Sequence, residues 1–155
     1  MKKYIWVTLV LISSLIMVFA ITSPVLACAL GKSPGYWKNH PGAWPSIYDP
    51  SKIDGTTIDE AFGFNPGDNY HNMTLMAALR TKRNSDGKAA FWRQAIATLL
   101  NQGTNAGEIA FLGRLVPNIY PDGGIFVDPG GWGTFGASTW TLEDWKNWFE
   151  WRNCY

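Results

Sequence analysis

The stretch Gly87-Lys88-Ala89-Ala90-Phe91-Trp92-Arg93-Gln94-Ala95-Ile96-Ala97-Thr98-Leu99-Leu100-Asn101-Gln102 carries the clearest helical signal in the chain. Phe91, Ala95, Ile96, Leu99 and Leu100 recur at the spacing of one helix face. Asp86 stands just before the segment and Gly103 just after it, as a helix start and stop require. Ala89, Ala90, Ala95 and Ala97 keep the other faces narrow, so a neighbouring helix can approach closely. A helix over 87–102 follows, and it places the chain in the mainly α class.

The flanking sequence extends that reading. Asn72 or Met73 opens a helical segment through Arg80, with Leu75, Met76 and Leu79 in phase, and Lys82 to Gly87 is a polar turn. Ala106 to Leu115 reads as a further helix with Pro117 beyond its end. Toward the N-terminus, Thr57-Ile58-Asp59-Glu60 is a capping box and Gly63 can end the short helix it starts. Ser33 followed by Pro34 fits a cap and first position for a helix to His40, stopped by Pro41. Thr141 caps a last helix, Leu142 to Arg152, whose apolar face is Leu142, Trp145, Trp148 and Phe149. Between these helices, residues 117–140 are broken by Pro and Gly and read as an ordered surface loop carrying aromatics. Ile125-Phe126-Val127 could form a strand there, but one strand does not make a sheet. The expected architecture is a small irregular helical domain with long Gly/Pro/Trp-rich loops.

The first residues set the compartment. Lys2 and Lys3 precede a nearly unbroken apolar run from Ile5 to Ile21, and Val25-Leu26-Ala27 supplies a small-residue cleavage site. This is the layout of a secretory signal peptide over 1–27, with a single exported domain over 28–155. The alternative is a retained membrane anchor, for which the run is at the short limit. Cys28 and Cys154 are the chain's two cysteines, one at each end of that domain. An even count in an exported chain favours pairing. One disulfide would then close nearly the whole domain, a loop for which the chain-entropy model gives on the order of 5 kcal/mol. Val25-Leu26-Ala27-Cys28 also resembles a lipobox, in which Cys28 would instead carry lipid.

Composition narrows the functions. Lys and Arg total 13 against 12 Asp and Glu, and no basic block appears. Nucleic acid is therefore not an expected partner, since phosphate binding needs clustered cations. Eight of the nine Trp lie beyond the leader, more than a domain of this size readily buries, so some are expected in an exposed groove or patch.

The segment Ser33-Pro34-Gly35-Tyr36-Trp37-Lys38-Asn39-His40-Pro41-Gly42-Ala43-Trp44-Pro45 resembles the opening of a family of exported bacterial and archaeal proteins. Their mark is a Gly-Tyr-Trp-Lys-Asn-His-Pro segment soon after a cysteine. The resemblance extends to Ala95-Ile96-Ala97-Thr98-Leu99-Leu100-Asn101 and to the closing Asn153-Cys154. It implies a secreted or cell-surface helical domain, sometimes attached to larger adhesin-like proteins, and no particular activity.

Few residues suggest chemistry. Gly35, Tyr36, Trp37, Lys38, Asn39, His40 and Pro41 read as a structural knot, with Tyr36, Trp37 and Trp44 in the core and Asn39 and His40 bonding helix ends. His40 is the candidate base if the knot is instead catalytic. Two histidines, His40 and His71, are too few for a zinc site, and no other metal or cofactor is expected. Asp49 to Gly55 and Asn65 to Asp68 lack calcium-loop spacing and read as Asx turns. Asp59-Glu60 and Glu143-Asp144 lie in first helical turns, where acids favour the dipole. Asn72-Met73-Thr74 is a glycosylation sequon, and Asn72 could equally be a helix cap. Trp132, Phe135 and Trp140, with Trp44, are the candidate binding aromatics; the alternative is that the three in the loop fold back over the helices as lids on the core.

The function expected from these residues is a secreted or cell-surface structural or interaction domain without catalytic activity. Its partners would be cell-envelope or extracellular proteins, with membrane contact only through the leader or a lipidated Cys28. The alternatives are a glycan-binding module built on the exposed Trp residues, and a hydrolase centred on His40.

Overall fold

A computed structural model describes residues 31–82, 87–128 and 133–153. The leader, Cys28, Trp132 and Cys154 lie outside the described residues, and so do the expectations that rest on them. In chain order the elements are α1 (Pro34–Asn39), a 3-10 turn (Pro41–Ala43), α2 (Ile58–Phe62), α3 (Leu75–Arg80), α4 (Lys88–Asn101), α5 (Ala106–Ile119), β1 (Phe126–Asp128), β2 (Gly133–Phe135) and α6 (Leu142–Arg152). The chain is mainly α, with a small two-stranded sheet.

Three helix starts follow their local chemistry. Ser33 accepts a bond from the Tyr36 amide. Thr57 and Glu60 exchange the two bonds of a capping box, and Thr141 and Asp144 do the same for α6. Gly63, at φ 72°, ends α2 in the left-handed region where a β-carbon is unfavourable.

Helix α4 is buried well beyond its predicted face. Ala89, Trp92, Ala97 and Thr98 join Phe91, Ala95, Ile96, Leu99 and Leu100 in the core. Such all-round burial marks a central helix rather than a surface one. It touches α1, α3, α5 and α6, and its contact with α6 is the most extensive between any two elements. The alanines make that approach possible. The one buried hydroxyl on α4, Thr98, is satisfied by donating to the Gln94 carbonyl at 3.0 Å.

Three expectations are corrected. Asn72 neither caps nor enters a helix: it stands at φ 59°, and Thr74 caps α3 by accepting from Ala77 N. Thr74 is held extended against Thr57, with Ile58 N donating to Met73 O and Leu75 N to Thr56 O, so the helix cannot begin before Leu75. Helix α5 continues past Leu115 to Ile119 with Pro117 inside it. Proline in the last turn forfeits only one intrahelical bond, and Asn118 Nδ2 caps the Arg114 carbonyl at 2.7 Å. Within 117–140, Ile125-Phe126-Val127 does have a partner: β1 pairs antiparallel with β2, Phe126 opposite Phe135. The inner residues of this hairpin, Phe126 and Phe135, cover Phe111 on α5.

Trp92 is fully buried at the centre of this arrangement, against Phe62, Phe64, Tyr70, Phe91 and Tyr120. Trp92→Ala is expected to lower unfolding free energy by about 3–5 kcal/mol, measured by urea denaturation, because the cavity cannot close among rigid rings.

Candidate functional site

The knot at residues 33–45 is built from inside outward. Trp37 is buried, and its carbonyl accepts from Trp44 Nε1 at 3.0 Å, which seats Trp44 in the core beside it. Tyr36 is half-buried and stacks on His40 at 4.2 Å. His40 donates from Nδ1 to the Tyr36 carbonyl at 2.8 Å, closing the end of α1. Lys32 lays its ammonium 4.5 Å from the Tyr36 ring centre and 5.1 Å from that of Trp37. Lys38 is half-buried and Asn39 is exposed.

Asn101, the last residue of α4, ties this knot to the rest of the chain. Its Oδ1 accepts from the Lys32 amide at 2.9 Å and from Trp37 Nε1 at 3.2 Å. Its Nδ2 donates to the Lys32 carbonyl at 3.0 Å and to Asn153 Oδ1 at 2.9 Å. All four bonding positions of the amide are thereby used. Asn153 in turn donates to the Gln94 carbonyl and to Gln94 Oε1. Beside this network lies an open cleft of about 370 Å³, lined by Lys32, Trp37, Pro45, Leu100, Asn101 and Thr104 among others.

A second polar group joins three distant segments. Asp68 accepts from Tyr120 Oη, from Lys88 Nζ at 2.9 Å and from the Tyr70 amide at 2.9 Å. Burial works to raise the Asp68 carboxyl, but the bonds from Tyr120, Tyr70 and Lys88, with the Lys88 charge, outweigh it and hold the group below its usual value. Burial first, and then the bond to Asp68, push the Tyr120 hydroxyl far above its ordinary range, so it acts as a fixed donor.

A third group surrounds His71. Its Nδ1 donates to Asp59 Oδ2 at 2.8 Å, while its Nε2 faces Asn72 Nδ2 at 2.9 Å. Asn72 N also donates to Asp59. Both ring nitrogens are thus occupied, and the tautomer is fixed by the bonds it makes. In the sequon, Asn72 is exposed, but Thr74 is buried with its hydroxyl on the Lys52 carbonyl at 2.8 Å.

The acidic pairs have structural duties. Glu60 and Asp144 complete capping boxes, Asp59 holds His71, and Glu143 pairs with Lys146 at 2.7 Å. Thr141 bonds hold the exposed Asp144 carboxyl below its usual value. Asp49 and Asn65 accept from the amides of Ser51 and Gly67, as Asx turns do. Among the described residues no three His, Cys, Asp or Glu converge as metal ligands.

The candidate binding aromatics are distributed over the body. Phe135 meets Trp148 at 6.2 Å, Trp148 meets Trp145 at 5.5 Å, and Trp145 meets Trp140 at 4.9 Å, forming one chain of rings over α6. Phe135 and Trp140 are half-buried in this chain, and Trp44 is buried in the knot. Asn101, Asn153, Asp68, Lys88 and Tyr120 were not singled out from the sequence as site residues. The one local signal for Asn101 is an amide ending an apolar helix face, which says nothing of what lies opposite. Comparison with protein-family models, curated proteins and solved structures yields no match.

The depressed Asp68 carboxyl has a pH consequence. Its folded pKa lies below the ordinary 3.8, so its stabilisation is present above that value and is lost as pH falls through the folded pKa. Urea denaturation at pH 6 and pH 3 is expected to show wild type losing stability on acidification. Asp68→Asn is expected to be less stable at pH 6 and to lose less between the two pH values, Asp144 contributing equally to both proteins.

Proposed function

We propose that this protein is a secreted or cell-surface structural domain that works by contact with other envelope or extracellular proteins, without catalysis, and that its ends are joined by a Cys28–Cys154 disulfide. The leader-like residues 1–27 support the compartment. The side chains with most chemical potential, His40, His71, Asp68, Lys88 and Tyr120, are engaged in holding the fold. The observation that carries the reading is the outer face of the hairpin. While Phe126 and Phe135 point into the core, Ile125 is 50% and Val127 64% exposed. They lie within residues 117–140, the stretch read from the sequence as a surface loop carrying aromatics, and neighbouring apolar side chains in water support an interaction site there.

Cell fractionation and site-specific photocrosslinking test this together. The full chain is expected outside the cytoplasm. A photoreactive residue at position 127 is expected to give a discrete adduct with an envelope protein or a second copy, and one at exposed position 39 is not. Retention in the cytoplasm, or indistinguishable patterns from the two positions, would end the proposal.

A further inference from the structure

The approach of Gly31 to Asn153 reaches beyond the contact surface. These residues are 122 positions apart, yet a β-carbon on Gly31 would overlap the Asn153 carbonyl, so the two backbones touch. Asn101 holds both sides of that contact. It grips the amide and the carbonyl of Lys32, as a neighbouring strand would, which fixes the direction in which residue 31 leaves. It also bonds the side chain of Asn153, whose Nδ2 donates to Gln94 and whose backbone amide donates to the Phe149 carbonyl. In sequence, Cys28 lies three residues before Gly31 and Cys154 one residue after Asn153. Three residues span at most about 11 Å, so the Cα separation of roughly 4.4–6.8 Å that a disulfide needs is within reach.

We propose that the Asn101 clasp sets the redox balance of a Cys28–Cys154 disulfide, so that closing the bond and forming the clasp are one coupled equilibrium. The inference rests on the pairing proposed above. In the reduced protein, whatever holds residues 31 and 153 together raises the effective concentration of one thiol at the other. By reciprocity, the closed disulfide strengthens the clasp by the same factor. The chemistry is thiol–disulfide exchange. The two thiols lose two protons and two electrons as the S–S bond forms, and an external disulfide oxidant, such as glutathione disulfide, is split into two thiols.

The test uses the full chain with its leader, in whichever form accumulates. It is reduced, equilibrated in buffers of varied reduced-to-oxidised glutathione ratio, trapped with alkylating agent and read by intact mass. Wild type is expected to close at ratios where unlinked thiols stay open. Asn101→Ala is expected to lower the effective concentration by roughly tenfold or more, as loss of several partly buried hydrogen bonds implies. Trp37→Phe, which removes one donor and keeps a ring, is expected to lower it a few-fold, and serves if Asn101→Ala does not fold. Thr57→Ala, which weakens the α2 cap away from the clasp, controls for plain destabilisation and is expected to leave the value within about twofold of wild type. An unchanged value in folded clasp variants, or a drop in Thr57→Ala equal to theirs, overturns the coupling. Failure of wild type to close, or a lipid mass on Cys28, overturns the pairing itself, while the surface-contact reading still stands or falls on the crosslinking result.

Discussion

Burial of α4 on several sides is the constraint on which the other elements depend. A 14-residue helix with nine buried positions can be covered only by neighbours on several sides. The alanines let those neighbours come close, and the large rings of Phe91 and Trp92 fill the spaces left between them. Short helices such as α1, α2 and α3 would not be stable alone. Their order comes from resting on α4 or on the elements packed against it, with side-chain caps satisfying their free amides.

Aromatic side chains are the second organising feature. In a small domain they supply much apolar area per residue, and edge-to-face contacts fix their orientation. Many rings are shared out between the centre around Trp92 and the row from Phe135 to Trp140 over α6, while Trp37 and Trp44 are buried in the knot and Trp151 is exposed. Arg152 joins the second group, paired with Glu108 and lying over Trp148 and Phe111. This is an economical use of a long cation: its charge is matched while its guanidinium covers rings.

The polar groups show a common design. Asp68, Asn101 and the His71–Asp59 pair each bridge segments distant in sequence, and each satisfies its donors or acceptors within the fold. Such groups add little net energy per bond, but leaving any one unpaired is costly, so they fix register rather than supply bulk stability. Two of the apolar residues left outside, Ile125 and Val127, are held by a hairpin whose other face is anchored in the core.

Local chemistry was legible in the residues alone. The face of α4, the caps at Ser33, Thr57 and Thr141, and the span of α6 depend on contacts three or four residues apart, which periodicity and capping patterns report. The helix through Pro117 and the second strand were not legible, because a proline in a last turn forfeits only one bond and leaves the packing to decide, and because the strand rests on a partner with glycine at its start. The candidate aromatics were recognisable as a group, but their exposure depends on what packs against each ring. The clasp is the extreme case: Asn101 meets residues 69, 64 and 52 positions away. An amide's partners at such distances leave no trace in local pattern, so only the tertiary structure could assign Asn101 its place between Lys32 and Asn153.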